Sequence, residues 1–182
     1  RKEIYEKTYS SIQEFSLHST TYSYFAEEAA TALEAINVII EDKYVQKLQN
    51  VSSIFDDSFK KLHKKYPNKI ISIRGKGLIR GIDFNLSFLQ SDSSVLNDLT
   101  KKFKKREFEK LIIASYISYL YDEHNILVGI QDGEKPMIRV SPSNIINEDE
   151  IIYFFDALED MLNKNIPNLI SKFIKTYIAS KF

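Results

Sequence analysis

The sequence has no cysteine in its 182 residues. That excludes a disulfide scaffold, a thiolate zinc site, an iron–sulfur cluster and a thiol nucleophile. It has no surplus of either charge: 25 basic residues meet 25 acidic ones, whereas a dedicated nucleic-acid binder is normally basic overall. Long apolar runs are missing too. The longest, Ile151 to Phe155, holds five residues, against about twenty for a membrane helix. Nothing at the amino terminus reads as a secretory signal, so a cytoplasmic protein is the simplest expectation. The chain opens on Arg1 rather than Met, and further sequence is expected before it. What the chain does have is a globular balance, 43% apolar and 27% charged. A chain of this length buries about 70% of its unfolded surface and needs no covalent or metal staple.

Periodicity organises the rest. Ile4, Tyr5, Thr8, Ile12 and Phe15 recur at helical spacing and predict a first helix. The hydroxyl-rich stretch 16–23 reads as a loop, with Ser23 a candidate N-cap. From Phe25 to Leu62 apolar residues hold a helical period, and no glycine or proline intervenes until Pro67. A helix of about 40 residues would be roughly 60 Å long, so this run is expected to bridge two bodies or to break once near Asp42. Residues 69–74 and 78–84 are β-branched and strand-like, joined through Gly75-Lys76-Gly77. Two helices follow, around Leu96–Phe103 and Phe108–Tyr119. Strands are expected at 126–130 and 136–140. Asn147 and Glu150 have the spacing of a capping box ahead of an amphipathic helix, and a last helix begins near Pro167, where proline is tolerated. The order is that of a small α+β domain behind a long connecting helix.

Four segments, in this order, resemble the carboxyl-terminal part of class III pyridoxal-phosphate aminotransferases of fold type I. His18-Ser19-Thr20-Thr21-Tyr22, ahead of an alanine-rich helix, resembles the family's H-x-S-T-[FY]-G-G-N-P-x-A segment. Residues 73–82, IRGKGLIRGI, resemble VRGxGLMxGIE. Residues 119–128, YLYDEHNILV, resemble LLxxHGIxV. Ile138-Arg139-Val140-Ser141-Pro142-Ser143, with Glu148-Asp149-Glu150, resembles IRxxPPLxITEEE. The match spans about residues 15 to 162.

The resemblance implies a fold type I small domain: a long connecting helix and a small, mainly antiparallel sheet covered by helices. Residues 1–24 would end the cofactor-binding large domain, 25–66 form the connecting helix, and 67–182 the small domain. It implies that Thr21 holds the phosphate of pyridoxal 5'-phosphate, with Thr20 a second candidate through its backbone amide, and that Arg139 binds the substrate's α-carboxylate. Hydroxyls and amides ahead of a helix suit a phosphate, and the planar fork of arginine suits a carboxylate. It further implies a homodimer, an amino-acid donor, and a keto or aldehyde acceptor served in ping-pong order.

The chain also departs from the pattern. Ser23-Tyr24-Phe25 stand where the family has Gly-Gly-Asn, and Ser143 replaces the second proline of the pair. The lysine that carries the cofactor belongs upstream of the His-x-Ser-Thr segment. Only Lys2 and Lys7 precede His18, outside any matching motif. No catalytic residue is therefore assigned, and the chain alone is expected to be inactive.

Plainer readings stand beside these. Thr20 and Thr21 could simply cap the next helix, and Arg139 could be a strand arginine in a surface ion pair. His18 reads as a hydrogen-bonded structural histidine. His63 and His124 are isolated in sequence, and no metal is expected. The basic run Lys101 to Arg106 reads as a solvated helix face rather than a nucleic-acid contact. The last helix is expected to dock on protein rather than on a membrane. A different class of function remains open: a standalone, non-catalytic interaction or assembly domain that keeps the aminotransferase small-domain fold.

Overall fold

The computed structural model describes residues 1–9, 26–86 and 104–179. The chain divides into two compact units, Arg1–Val45 and Gln46–Phe182. The first contains α1 (Lys2–Tyr9) and α2 (Ala26–Glu41), neither of which buries a residue. The rest of the expected first helix lies outside the described residues. The apolar run from 25 to 66 resolves into α2 and α3 (Tyr44–Lys65). The break falls at Asp42-Lys43, where Lys43 takes a positive φ of 54°. That is a strained conformation for a residue with a Cβ, and it marks the helix end without help from glycine or proline.

The second unit is built on β1 (Ile70–Lys76), β2 (Ile79–Phe84), α4 (Lys105–His124), β3 (Gly129–Asp132), β4 (Pro136–Val140), α5 (Glu148–Leu162) and α6 (Ile166–Ala179). The sheet order is β1-β2-β4-β3, and every pairing is antiparallel. Successive residues of a strand face opposite sides, so the register sorts two rows across the sheet. Ile73, Ile82, Ile138 and Ile130 lie opposite one another in one row, and Ile82 and Ile138 are completely buried against the helices. The neighbouring row, Arg74, Gly81, Arg139 and Gly129, faces the other way. That side of the sheet carries the candidate site.

One core holds the unit together. Helix α3 contributes Phe55, Phe59 and Leu62, one face at helical spacing, and α5 contributes Ile151, Phe154, Phe155, Leu158 and Leu162. The four phenylalanines pack mutually, edge to face except for the stacked pair Phe55–Phe154, with ring centroids from 4.7 Å (Phe59–Phe155) to 6.5 Å (Phe59–Phe154). So α3 belongs to the body of the domain, not only to a connection. At its last residue Lys65 Nζ lies 2.6 Å from Glu159, and beyond its end Lys69 Nζ donates to the carbonyl of Leu162.

Local signals explain the joints. The β1–β2 hairpin closes on Gly77-Leu78, with Gly77 at φ +63°, and β1 runs on through Gly75 and Lys76 instead of stopping at Arg74. Gly75, at φ +132°, passes so near Ile79 that a Cβ would sit 2.1 Å from its carbonyl oxygen. Helix α4 ends on Asn125 in the left-handed conformation, φ 53°, a place that favours glycine or asparagine. At α5, Asn147 Oδ1 accepts from the Glu150 amide at 2.9 Å and Glu150 accepts from the Asn147 amide at 2.9 Å, which is the expected capping box. Pro167 sits in the first turn of α6.

Two expectations shift. The third strand begins at Gly129, not Ile126, because pairing with β4 starts at Gly129–Arg139; Ile126 and Val128 pack against the core from an extended segment. Residues 101–103 of the basic run lie outside the described residues, and Arg106 of the run is not a free cation. Arg106 Nη2 and Lys110 Nζ both grip Asp132, at 3.0 and 2.5 Å, tying α4 to the β3–β4 turn. The helix expected near 96–103 lies outside the described residues. Among the described residues no helix is long and apolar enough to cross a membrane.

Candidate functional site

Arg139 stands near the middle of β4 on the sheet face away from the helices. It is exposed, while Ile138 and Val140 on either side are buried. The strand thus fixes the Cα and the direction of the side chain, and leaves the guanidinium in water. Among the described residues Arg139 has no ion-pair or hydrogen-bond partner. Its guanidinium lies against the backbone of Gly129 on the neighbouring edge strand, with Nε and Nη2 the atoms closest to where a Cβ would be.

The two other arginines of the sheet are committed. Arg74, in the same row, lies 3.9 Å from the carboxylate of Asp83 and 3.9 Å from Met137 Sδ. Arg80 points the opposite way, is only 4% exposed, and donates to the Asp56 carboxylate and to the Ile79 carbonyl. Its place in the core was readable from strand alternation, since Arg80 shares the parity of Ile82 and Phe84, but the partner on α3 was not. Of three strand arginines, Arg139 alone is presented outward and unpaired among the described residues.

Thr20 and Thr21, with His18 and Ser23, lie outside the described residues, so Arg139 is the one site residue of the sequence reading whose surroundings are visible. After β4 the chain lines an open groove of about 570 Å³ with Leu127, Ser141, Pro142, Ile145 and Tyr153. Here Ser143, in place of the second proline, accepts weakly from the Ile145 amide at 3.4 Å and turns the chain toward α5.

A polar cluster joins α4 to α5. Asp160 accepts from Tyr119 Oη at 2.6 Å, meets His124 Nε2 at 3.1 Å, and pairs with Lys164 at 2.8 Å. Tyr153 Oη donates to the His124 carbonyl at 3.0 Å. His124, isolated in sequence, is therefore a structural tie. The hydrogen bonds from Lys164 and then Tyr119 hold the Asp160 carboxyl down at about 2 from its ordinary 3.8. A carboxyl lowered on folding stabilises the fold above its ordinary pKa, and that contribution is lost as pH falls toward the folded value. Asp160→Asn is expected to lower the thermal midpoint at neutral pH and to flatten its fall between pH 4 and 2. Unfolding midpoints across that range test this; an unchanged acid slope would contradict it.

Among the described residues, an antiparallel sheet with helices on one side and an outward, unpaired arginine on the other makes an α+β domain. Its family follows from comparison with known proteins. The profile of the family Aminotransferase class-III matches residues 1–162, and the chain belongs to that family. Mitochondrial ornithine aminotransferase of Arabidopsis thaliana is 26% identical over 153 residues, covering 84% of this chain and 28% of that protein. The rice enzyme of the same name is 22% identical over 164 residues, covering 90% and 30%. Among solved structures, adenosylmethionine-8-amino-7-oxononanoate aminotransferase from Methanocaldococcus jannaschii superposes with a TM-score of 0.59 at 22% identity, over 88% of this chain and 33% of that one. A transaminase from the marine bacterium Virgibacillus gives 0.58 at 16%, over 94% and 34%. These two show the fold. The chain spans under a third of the length of the ornithine aminotransferases it matches.

Proposed function

We propose that this chain is the carboxyl-terminal portion of a cytoplasmic, homodimeric aminotransferase that moves an amino group from an amino-acid donor to a keto or aldehyde acceptor. Residues 1–24 end the large domain, the two helices of 25–66 lead out of it, and 67–182 with α3 form the small domain. Arg139 takes the substrate carboxylate. Pyridoxal phosphate, when bound, supplies the electron sink that lets the amino group move. The residues that would hold its phosphate are Thr21, through hydroxyl and amide, and Thr20, through its amide. These neutral donors are chemically suited to a phosphate ahead of α2. No residue of this chain is assigned to the covalent step, and the chain alone is inactive in this reading.

The observation that carries the proposal is the state of Arg139. A guanidinium used for packing or stability is found paired, as Arg74 and Arg80 are. One held outward on a rigid strand, with its fork free among the described residues, is arranged for an incoming carboxylate. The apolar surface of α2, with Leu33, Ile36 and Ile40 exposed, fits a chain that is covered by the remainder of an enzyme. The experiment is substitution of Arg139 in the full-length protein, with donor kinetics as the readout. Unchanged kinetics with amino-acid donors would remove the carboxylate role.

A further inference from the structure

Gly129 is the first residue of β3 and lies directly opposite Arg139. Its backbone is not in the left-handed region that favours glycine, so the main chain gives no reason for glycine there. In a strand, glycine is a poor choice, since it adds no packing and forfeits backbone entropy. The reason lies across the ladder. A Cβ at Gly129 would have as its three nearest atoms Nε, Nη2 and Cζ of Arg139, at 3.3, 3.4 and 3.7 Å. The first distance is tighter than ordinary van der Waals contact and the second is at its limit, so the guanidinium would have to give by a few tenths of an ångström. On the other side of the row, Met137 Sδ fills the space over Gly81, where a Cβ would meet it at 2.7 Å. The arginine is thus flanked by a thioether over β2 and by bare backbone at β3.

We propose that Gly129 is a positioning residue for Arg139: its missing side chain lets the guanidinium settle on the β3 backbone and sets the height and direction at which the fork meets the substrate carboxylate. The inference rests on the carboxylate role of Arg139. An alanine displaces the guanidinium by a few tenths of an ångström. A valine adds methyl groups in the same space and displaces it further, while raising local strand propensity. Gly129 acts through Arg139 and touches no reacting atom.

The test uses the full-length, cofactor-loaded protein with Gly129→Ala, Gly129→Val, Arg139→Ala, and Gly129→Val combined with Arg139→Ala. Gly129→Val is expected to raise KM for an amino-acid donor about tenfold, as misplacement of a binding group does. It should leave kcat within about twofold and the thermal midpoint unchanged or higher. Gly129→Ala should show a smaller rise in KM. In the Arg139→Ala background the valine should add nothing, because the group it displaces is gone. If Arg139→Ala raises KM and neither Gly129 variant does, the positioning role is wrong while the carboxylate role stands. A valine effect that persists undiminished without Arg139 also overturns it. If Arg139→Ala itself leaves KM unchanged, the carboxylate reading fails and the positioning role falls with it. Gly129→Ala keeps the test open if valine unfolds the edge strand.

Discussion

Arg139→Ala in the full-length protein is expected to raise KM for amino-acid donors about 100-fold, or about 2.8 kcal/mol at 1.4 kcal/mol per tenfold. The figure follows from charge-assisted hydrogen bonds, worth about 1.5–3 kcal/mol each, in a bidentate pair that is partly exposed to water. Donor amines without a carboxylate should lose almost nothing, because they never engage the fork. Arg139→Lys should recover only part of the loss, since a point charge cannot reproduce two parallel N–H donors. The substitution should not disturb folding, for Arg139 is exposed and without a partner among the described residues. A 100-fold effect on both donor classes would mean that Arg139 supports the structure, and no effect on either would mean that another group binds the carboxylate.

The second large effect lies in the core. Phe55→Ala is expected to destabilise the domain by about 3–5 kcal/mol, the range for removing a large buried aromatic side chain. Phe55 has no exposed surface. Its ring meets those of Phe59, Phe154 and Phe155, with centroids 5.0, 6.1 and 5.6 Å away. Three aromatic neighbours on two helices cannot all close around the void, so most of the cavity should remain. Domains of this size have about 5–15 kcal/mol in total, so this one change would take a large share. Phe55→Leu should cost much less, because it keeps most of the volume. Urea unfolding of both variants measures the difference. A loss below about 1 kcal/mol for alanine would mean that α3 is not held in this core.

How much of this was readable follows from the range of each signal. Local signals were legible. Asn147 with Glu150 marked the start of α5, and four apolar residues with one arginine marked β4; for the run 25–66 one continuous connecting helix and a single break near Asp42 were both open, and the structure has the break, at Asp42-Lys43. Pairing was not legible. The apolar stretch at 126–130 announced a strand, but only the ladder with β4 decides that it starts at Gly129 and ends at Asp132. Similarly, Gly75-Lys76-Gly77 looked like the turn itself, whereas the register carries β1 to Lys76 and leaves Gly77 and Leu78 at the tip. Asp132 gave no sign in sequence of receiving both Arg106 and Lys110. The same limit governed the site. Motif resemblance singled out Arg139, but neither its isolation from ion pairs among the described residues nor its seat on Gly129 exists until β3 and β4 lie side by side. Thr20 and Thr21 rest on resemblance and chemical suitability alone.

The measurement that bears most directly on the account is the intact mass of the native gene product after incubation with pyridoxal phosphate and reduction with borohydride, followed by peptide mapping. A mass well above 21.2 kDa, with one reduced cofactor adduct on a lysine outside residues 1–182, is the predicted result. A native product near 21.2 kDa with no specific adduct would leave the family fold in place and contradict the enzyme.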